Sequence, residues 1–164
     1  MSQPVRLLML CLGNICRSPM AEGAFRARLQ AAGLEDDVQV DSAGIGPWHA
    51  GEPPDPRAIA CARGHGVDIA GQRARQLAAT DFQRFDWILA ADADNLQALQ
   101  GRRPRDATAR ATLLLPWATG EADAAAIPDP YTGDAADFER VWAMVDGAAE
   151  AAVRQRVWQR RVDG

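Results

Sequence analysis

Val5-Arg6-Leu7-Leu8-Met9-Leu10 runs directly into Cys11-Leu12-Gly13-Asn14-Ile15-Cys16-Arg17-Ser18-Pro19, and a helical pattern follows. This is strand, loop, helix. An apolar run of that length suits a buried parallel strand, and proline suits a first helical turn. The loop therefore lies at a helix N-terminus, where unpaired backbone N–H groups and the positive end of the helix dipole make an anion site. Arg17 adds a planar fork that matches two oxygens of an oxyanion. Gly13 and Asn14 accept the unusual backbone that an anion-cradling loop demands. Cys11 enters the same field from the strand end. A helix N-terminus and a neighbouring cation both favour the thiolate, so a nucleophile is expected there.

Working outward, Ala21 to Ala32 repeats apolar residues at helical spacing and Gly33 can close the helix. Val38 to Gly44 reads as a second strand, completing a β-α-β unit. Gly44 to Pro56 is a Gly- and Pro-rich loop that carries Trp48, a ring suited either to the core or to a cleft wall. Pro56 to Arg63 reads as a helix ending near Gly64-His65-Gly66, with Cys61 expected to pack as a small hydrophobe. Phe85 to Ala91 and Ala111 to Leu115 read as the third and fourth strands, and Asp92-Ala93-Asp94-Asn95 caps a helix near Leu96. Trp117 to Ala126 reads as a long surface loop. It leads to Ile127-Pro128-Asp129-Pro130-Tyr131, where two prolines keep Asp129 out of helix and hold its carboxyl outward. A final helix from about Ala135 to Val157, capped by Asp134, turns Phe138, Val141, Trp142 and Val145 inward. Strands alternating with helices predict an α/β fold, doubly wound on a parallel sheet, with ligands at the carboxyl ends of strands.

Composition bounds the function. The 164 residues fit one domain, 1–164, with no linker evident, and 48% hydrophobic content supports a core. All 18 basic residues are arginine, and the net charge of −4 gives no global attraction to nucleic acid or anionic membrane. The opening apolar run is too short for a span and lacks the form of a signal peptide. Three cysteines make no disulfide framework, and no zinc-type pair of close Cys or His residues stands out. Asp92, Asp94 and Asn95 lack a further ligand at a recognisable spacing, so helix capping and cleft polarity are expected of them, and no metal and no cofactor. His49 and His65, flanked by glycines in loops, are given no catalytic role. A cytoplasmic protein fits best.

The string from Cys11 through Pro19-Met20-Ala21-Glu22 resembles the low-molecular-weight protein tyrosine phosphatase family, and Asp129-Pro130-Tyr131 resembles its general-acid loop. The resemblance runs from Leu8 to the last helix and implies a three-layer fold with a four-stranded parallel sheet. It implies Cys11 as nucleophile, Arg17 as phosphoryl clamp and Asp129 as acid and then base. Leu12, Gly13, Asn14, Ile15, Cys16, Arg17 and Ser18 would hold the phosphate. Ile15, Trp48 and Tyr131 would wall the substrate cleft, and Asn14, Ser18 and Ser42 would support the loop. Family members usually have histidine where this chain has Gln72. By the same resemblance Cys16 could trap an oxidised Cys11 as a disulfide.

The implied partners are a phosphotyrosine-containing protein as substrate and inorganic phosphate as product, with a weak homodimer left open beside a monomer. Three other readings stay open. An arginine phosphatase of the same family usually has threonine at the position of Ile15. An arsenate reductase needs further redox cysteines, and Cys61 is isolated. A non-enzymatic anion-binding module would account for the loop but not for Cys11 together with Asp129.

Overall fold

The structure is a computed structural model, which describes residues 3–159. Its centre is β1 (Val5–Cys11), an apolar strand buried on both faces, as parallel strands are. Alternation sends Leu7, Met9 and Cys11 into one core and Leu8 and Leu10 into another. β2 (Val38–Gly44), β3 (Trp87–Ala90) and β4 (Arg110–Leu113) join it in the order β2-β1-β3-β4, all parallel, with Leu8 opposite Asp41 on one side and Ile88 on the other.

The first core is covered by α1 (Arg17–Ala31), α2 (Pro56–Gly64), α5 (Leu114–Thr119) and α6 (Ala135–Gln155). The second is covered by α3 (Asp81–Arg84) and α4 (Ala93–Gly101). The expected three-layer, four-stranded α/β fold is present. Chain order turns back at β1: β2 lies on one side and β3 on the other. The loops leaving β1 and β3 therefore diverge and open a crevice at the carboxyl edge of the sheet. Cys11 and Asp92 stand on its two sides.

Three local expectations are corrected. The fourth strand stops at Leu113, and Leu114 to Thr119 form a helix where strand and then surface loop were expected. Burial explains it: Trp117 is 6% exposed, its ring 6.4 Å from Phe25 and 5.8 Å from Trp87. Pro116 fits an early helical position, and Gly120, at φ +77°, ends the helix. The four-residue α3 carried no periodicity to read, yet its Asp81 is fully buried and accepts from Arg75 Nη1 at 2.9 Å. The last helix stops at Gln155, because Arg156 turns left-handed at φ +49°, and Val157–Gln159 continue as a 3-10 turn.

Candidate active site

Cys11 ends β1 and Arg17 begins α1, so the loop between them is also the helix N-terminus. Cys16, the N-cap, makes no side-chain capping bond, and among the described residues the amides of Gly13, Asn14, Ile15 and Cys16 donate to no protein acceptor. The end of α1 thus keeps the unmet donors that bind anions. Cys11 Sγ lies 3.0 Å from Ser18 Oγ and receives the Ser18 amide at 3.4 Å.

Asn14 shapes the loop. It is left-handed at φ +59°, a conformation asparagine tolerates better than most residues. Its Nδ2 donates to Ser18 Oγ at 2.8 Å and Ser42 Oγ at 3.0 Å, and its Oδ1 accepts from the Arg75 amide at 3.0 Å. Ser42 in turn donates to Glu22 Oε1 at 2.7 Å. The end of β2 presses close: a Cβ on Gly44 would sit 3.0 Å from the Gly13 carbonyl carbon and 3.1 Å from the Asn14 amide, so only glycine fits without displacement. Burial pushes the Glu22 carboxyl above its usual range, against the opposing pull of the Ser42 bond and Arg26. Gln72 does not reach Asn14. Its Nε2 donates to the Pro19 carbonyl at 3.1 Å, while Oε1 is buried without a partner. The position supports the first turn of α1, and Ser42 and Arg75 carry Asn14.

Arg17 is buried and firmly held: Nη1 donates to Asp92 Oδ2 at 2.6 Å and to the Ile127 carbonyl at 3.0 Å. Its Nη2 stands 3.8 Å from Asp129 Oδ2, so residues 112 positions apart meet at one guanidinium. Asp129 is half exposed, and its Oδ1 accepts from the Tyr131 amide at 3.1 Å, an Asx turn between the two prolines. Arg57, at the start of α2, anchors this loop by donating to the carbonyls of Tyr131 at 2.8 Å and Gly133 at 3.1 Å. The same guanidinium forks onto Asp55 and holds that carboxyl below its usual range.

These residues border a cleft of about 180 Å³, with Cys11 and Arg17 buried at 3% exposure and Trp48 and Tyr131 standing out at 64% and 50%. Ile15 and Asp129 complete its wall, and Trp48 lies over Gly46, where a Cβ would strike the ring. Larger hollows elsewhere, around Arg26, Arg84 and Arg73, are lined by no cysteine. Cys16 also borders the cleft, but burial raises its thiol pKa, helped by Asp55 and Cys11. Cys61 lies outside the cleft and is pushed up to about 12, first by burial and then by its bond to Glu139.

Every residue singled out from the sequence for the cleft or its loop meets here. Three more residues contribute in ways the sequence reading did not specify. Asp92 was read as a helix cap and as part of the cleft's polarity; it is a cap, its Oδ1 accepting from the Asn95 amide at 2.8 Å, and its second oxygen holds Arg17, a role not foreseen. An acid at the end of a strand beside the central one, at the point where strand order turns, was the available signal. His49 also lines the cleft, its Nδ1 2.7 Å from Glu52. Arg57 had no local signal, since its partners lie 74 and 76 residues away.

Residues 6–161 match the model of a family described as low molecular weight phosphotyrosine protein phosphatase. A low molecular weight protein-tyrosine-phosphatase of Streptomyces coelicolor is 45% identical over 163 residues, covering 93% of this chain and 95% of that one. The low molecular weight phosphotyrosine protein phosphatase of Sus scrofa is 40% identical, covering 83% and 85%. The crystal structure of YfkJ from Bacillus subtilis superposes with a TM-score of 0.87 at 36% identity, covering 98% of this chain and 99% of that one. The chain therefore belongs to the low molecular weight phosphotyrosine protein phosphatase family and is an enzyme of that class.

Proposed function

We propose that the protein hydrolyses phosphotyrosine in phosphorylated proteins through a cysteinyl-phosphate on Cys11, releasing inorganic phosphate. One observation carries the reading: the Cys11 sulfur, 3.0 Å from the Ser18 hydroxyl, shares a cleft with Arg17 and Asp129. The Ser18 hydroxyl and amide donate to the thiolate. Residues 12–18 and the Arg17 guanidinium take the phosphoryl oxygens, supplying the charge stabilisation that phosphoryl transfer requires. Sulfur forms its bond to phosphorus as the phosphorus–phenolate bond breaks, and Asp129 gives the leaving oxygen a proton. Asp129 then takes a proton from water, whose oxygen bonds phosphorus as the sulfur leaves. Its 3.8 Å separation from Arg17 Nη2 keeps the carboxyl beside whatever that guanidinium holds.

The substrate class rests on the walls. Ile15, Trp48 and Tyr131 form an apolar slot suited to a flat ring. An arginine phosphatase remains second because Ile15 offers a guanidinium no hydrogen-bond acceptor. Arsenate reduction is disfavoured because Cys61 does not reach the cleft. We read 1–164 as one domain acting in the cytoplasm, where three free cysteines would stay reduced. No helix among the described residues is long and apolar enough to cross a membrane. Turnover of p-nitrophenyl phosphate in EDTA tests the proposal. Activity should persist with chelator and fall by roughly three decades or more in Cys11→Ser, while vanadate still binds. Near-wild-type turnover in Cys11→Ser would remove the nucleophile and with it the mechanism.

A further inference from the structure

Cys61 and His65 stand one helical turn apart at the end of α2, and Glu139 meets both from α6. His65 Nε2 lies 2.7 Å from Glu139 Oε2, Cys61 Sγ lies 3.5 Å from Glu139 Oε1, and all three ligand atoms fall within 4.8 Å of one another. Cys61 and His65, four positions apart, did not stand out in the sequence as a zinc-type pair, because Glu139, which completes the cluster, is 74 residues from His65. None of the three borders the catalytic cleft.

We propose that Cys61, His65 and Glu139 form a zinc-binding site that clips α2 to α6. One thiolate, one imidazole nitrogen and one carboxylate is a donor set that zinc accepts, whereas calcium and magnesium prefer oxygen alone. Bonds of about 2.0–2.3 Å in a tetrahedral site put ligand atoms roughly 3.3–3.6 Å apart. The sulfur already stands at that distance from the carboxylate. The histidine–glutamate contact must open by under about 1 Å, and both side chains are exposed enough to move. The imidazole is not free to turn away, because it stacks on Trp142 at 5.3 Å and 13°. Trp142 lies three residues beyond Glu139, so α6 both supplies a ligand and orients another.

Binding exchanges protons for the cation. A Zn–S bond forms as the S–H bond of Cys61 breaks and its proton passes to solvent; His65 Nε2 gives up the hydrogen it shares with Glu139, which leaves to solvent or is replaced by one on Nδ1, and the freed lone pair and carboxylate oxygen each bond the metal. Cys61 itself is buried, while the outer side of the cluster faces solvent, so water can take the fourth position. The clip lies at the opposite end of α2 from Arg57, which holds the carbonyls of Tyr131 and Gly133.

Cobalt(II) serves as the optical probe, in a Cys11→Ser background so that the catalytic thiol cannot contribute. One equivalent should develop a sulfur-to-cobalt charge-transfer band that zinc then bleaches. The band should vanish when Cys61→Ser is added, and affinity should fall at least about tenfold when Glu139→Gln is added instead. Glu139 is exposed, so that variant should keep the fold, checked by circular dichroism. Zinc should also raise the melting temperature of the Cys11→Ser protein and not of the doubly substituted one. No cobalt band in the Cys11→Ser protein, or a band that survives Cys61→Ser, would overturn the site.

Discussion

Arg17 and Asp92 meet at 2.6 Å across the crevice where the strand order turns back, one in the segment after β1 and the other just past the end of β3. Asp92 spends its two oxygens on different tasks, capping α4 with one and aiming the Arg17 guanidinium with the other. Asp92→Asn should keep much of the cap but remove the charge that orients Arg17. Because Asp92 is partly exposed, the folding loss should stay near about 1–2 kcal/mol, below that of a fully buried pair. KM for aryl phosphates should rise about tenfold, with kcat less affected. Steady-state kinetics with a urea melt check both; an unchanged KM would mean that the Ile127 carbonyl alone positions Arg17.

Asp129→Asn should cost about two to four decades on phosphotyrosine but much less on aryl phosphates with acidic leaving groups, since only a basic phenolate needs the proton. The slope of log kcat/KM against leaving-group pKa measures this. Equal losses across the series would remove Asp129 as the acid.

Ile15→Thr should weaken discrimination in favour of phosphotyrosine, because it places a hydroxyl in an otherwise apolar wall. Losing contact with one aromatic ring is worth roughly 1–3 kcal/mol, or about one to two decades in rate. The comparison needs kcat/KM for phosphotyrosine, phosphoserine and phosphoarginine peptides in both proteins. Wild type preferring phosphoarginine would reverse the proposed substrate class.

Peroxide should inactivate the enzyme reversibly if Cys16 captures a sulfenic acid on Cys11 before further oxidation. Burial raises the pKa of Cys16 and keeps it a thiol, so closure should be slow and irreversible oxidation of Cys11 should compete with it. Recovery by a thiol reductant should therefore be incomplete after high peroxide, and lower still in Cys16→Ser. Peptide mapping without a Cys11 to Cys16 crosslink would leave Cys16 a packing residue.

Glu22→Gln should change how stability depends on pH. The Glu22 carboxyl has a higher pKa folded than unfolded, so the folded state holds the proton longer. Its contribution is fully present below about 4.5, where the unfolded chain ionises, and is lost as pH rises through the folded pKa. The glutamine variant still accepts from Ser42, so its melting temperature relative to wild type should rise from acid toward neutral pH. A constant difference across that range would show that Glu22 does not titrate with folding.

Short-range chemistry was legible in residue order. The apolar run before Cys11, the Gly13-Asn14 pair and Pro19 specify strand, left-handed turn and helix start within fifteen residues, and Asp134 marks the start of α6 with a capping box. Such features depend on neighbours along the chain, and pattern reading finds them. Trp117 shows the limit: Leu114 and Leu115 read as strand and the stretch from Trp117 as loop, but packing against Phe25 and Trp87 makes the segment helical. The Arg17 contacts with Asp92 and Asp129, the anchoring of the acid loop by Arg57, and the Cys61, His65 and Glu139 cluster join residues 74 to 112 positions apart. No local pattern encodes such pairs, because they arise only when the sheet order places the loops after β1 and β3 on one edge and α6 lies against α1 and α2.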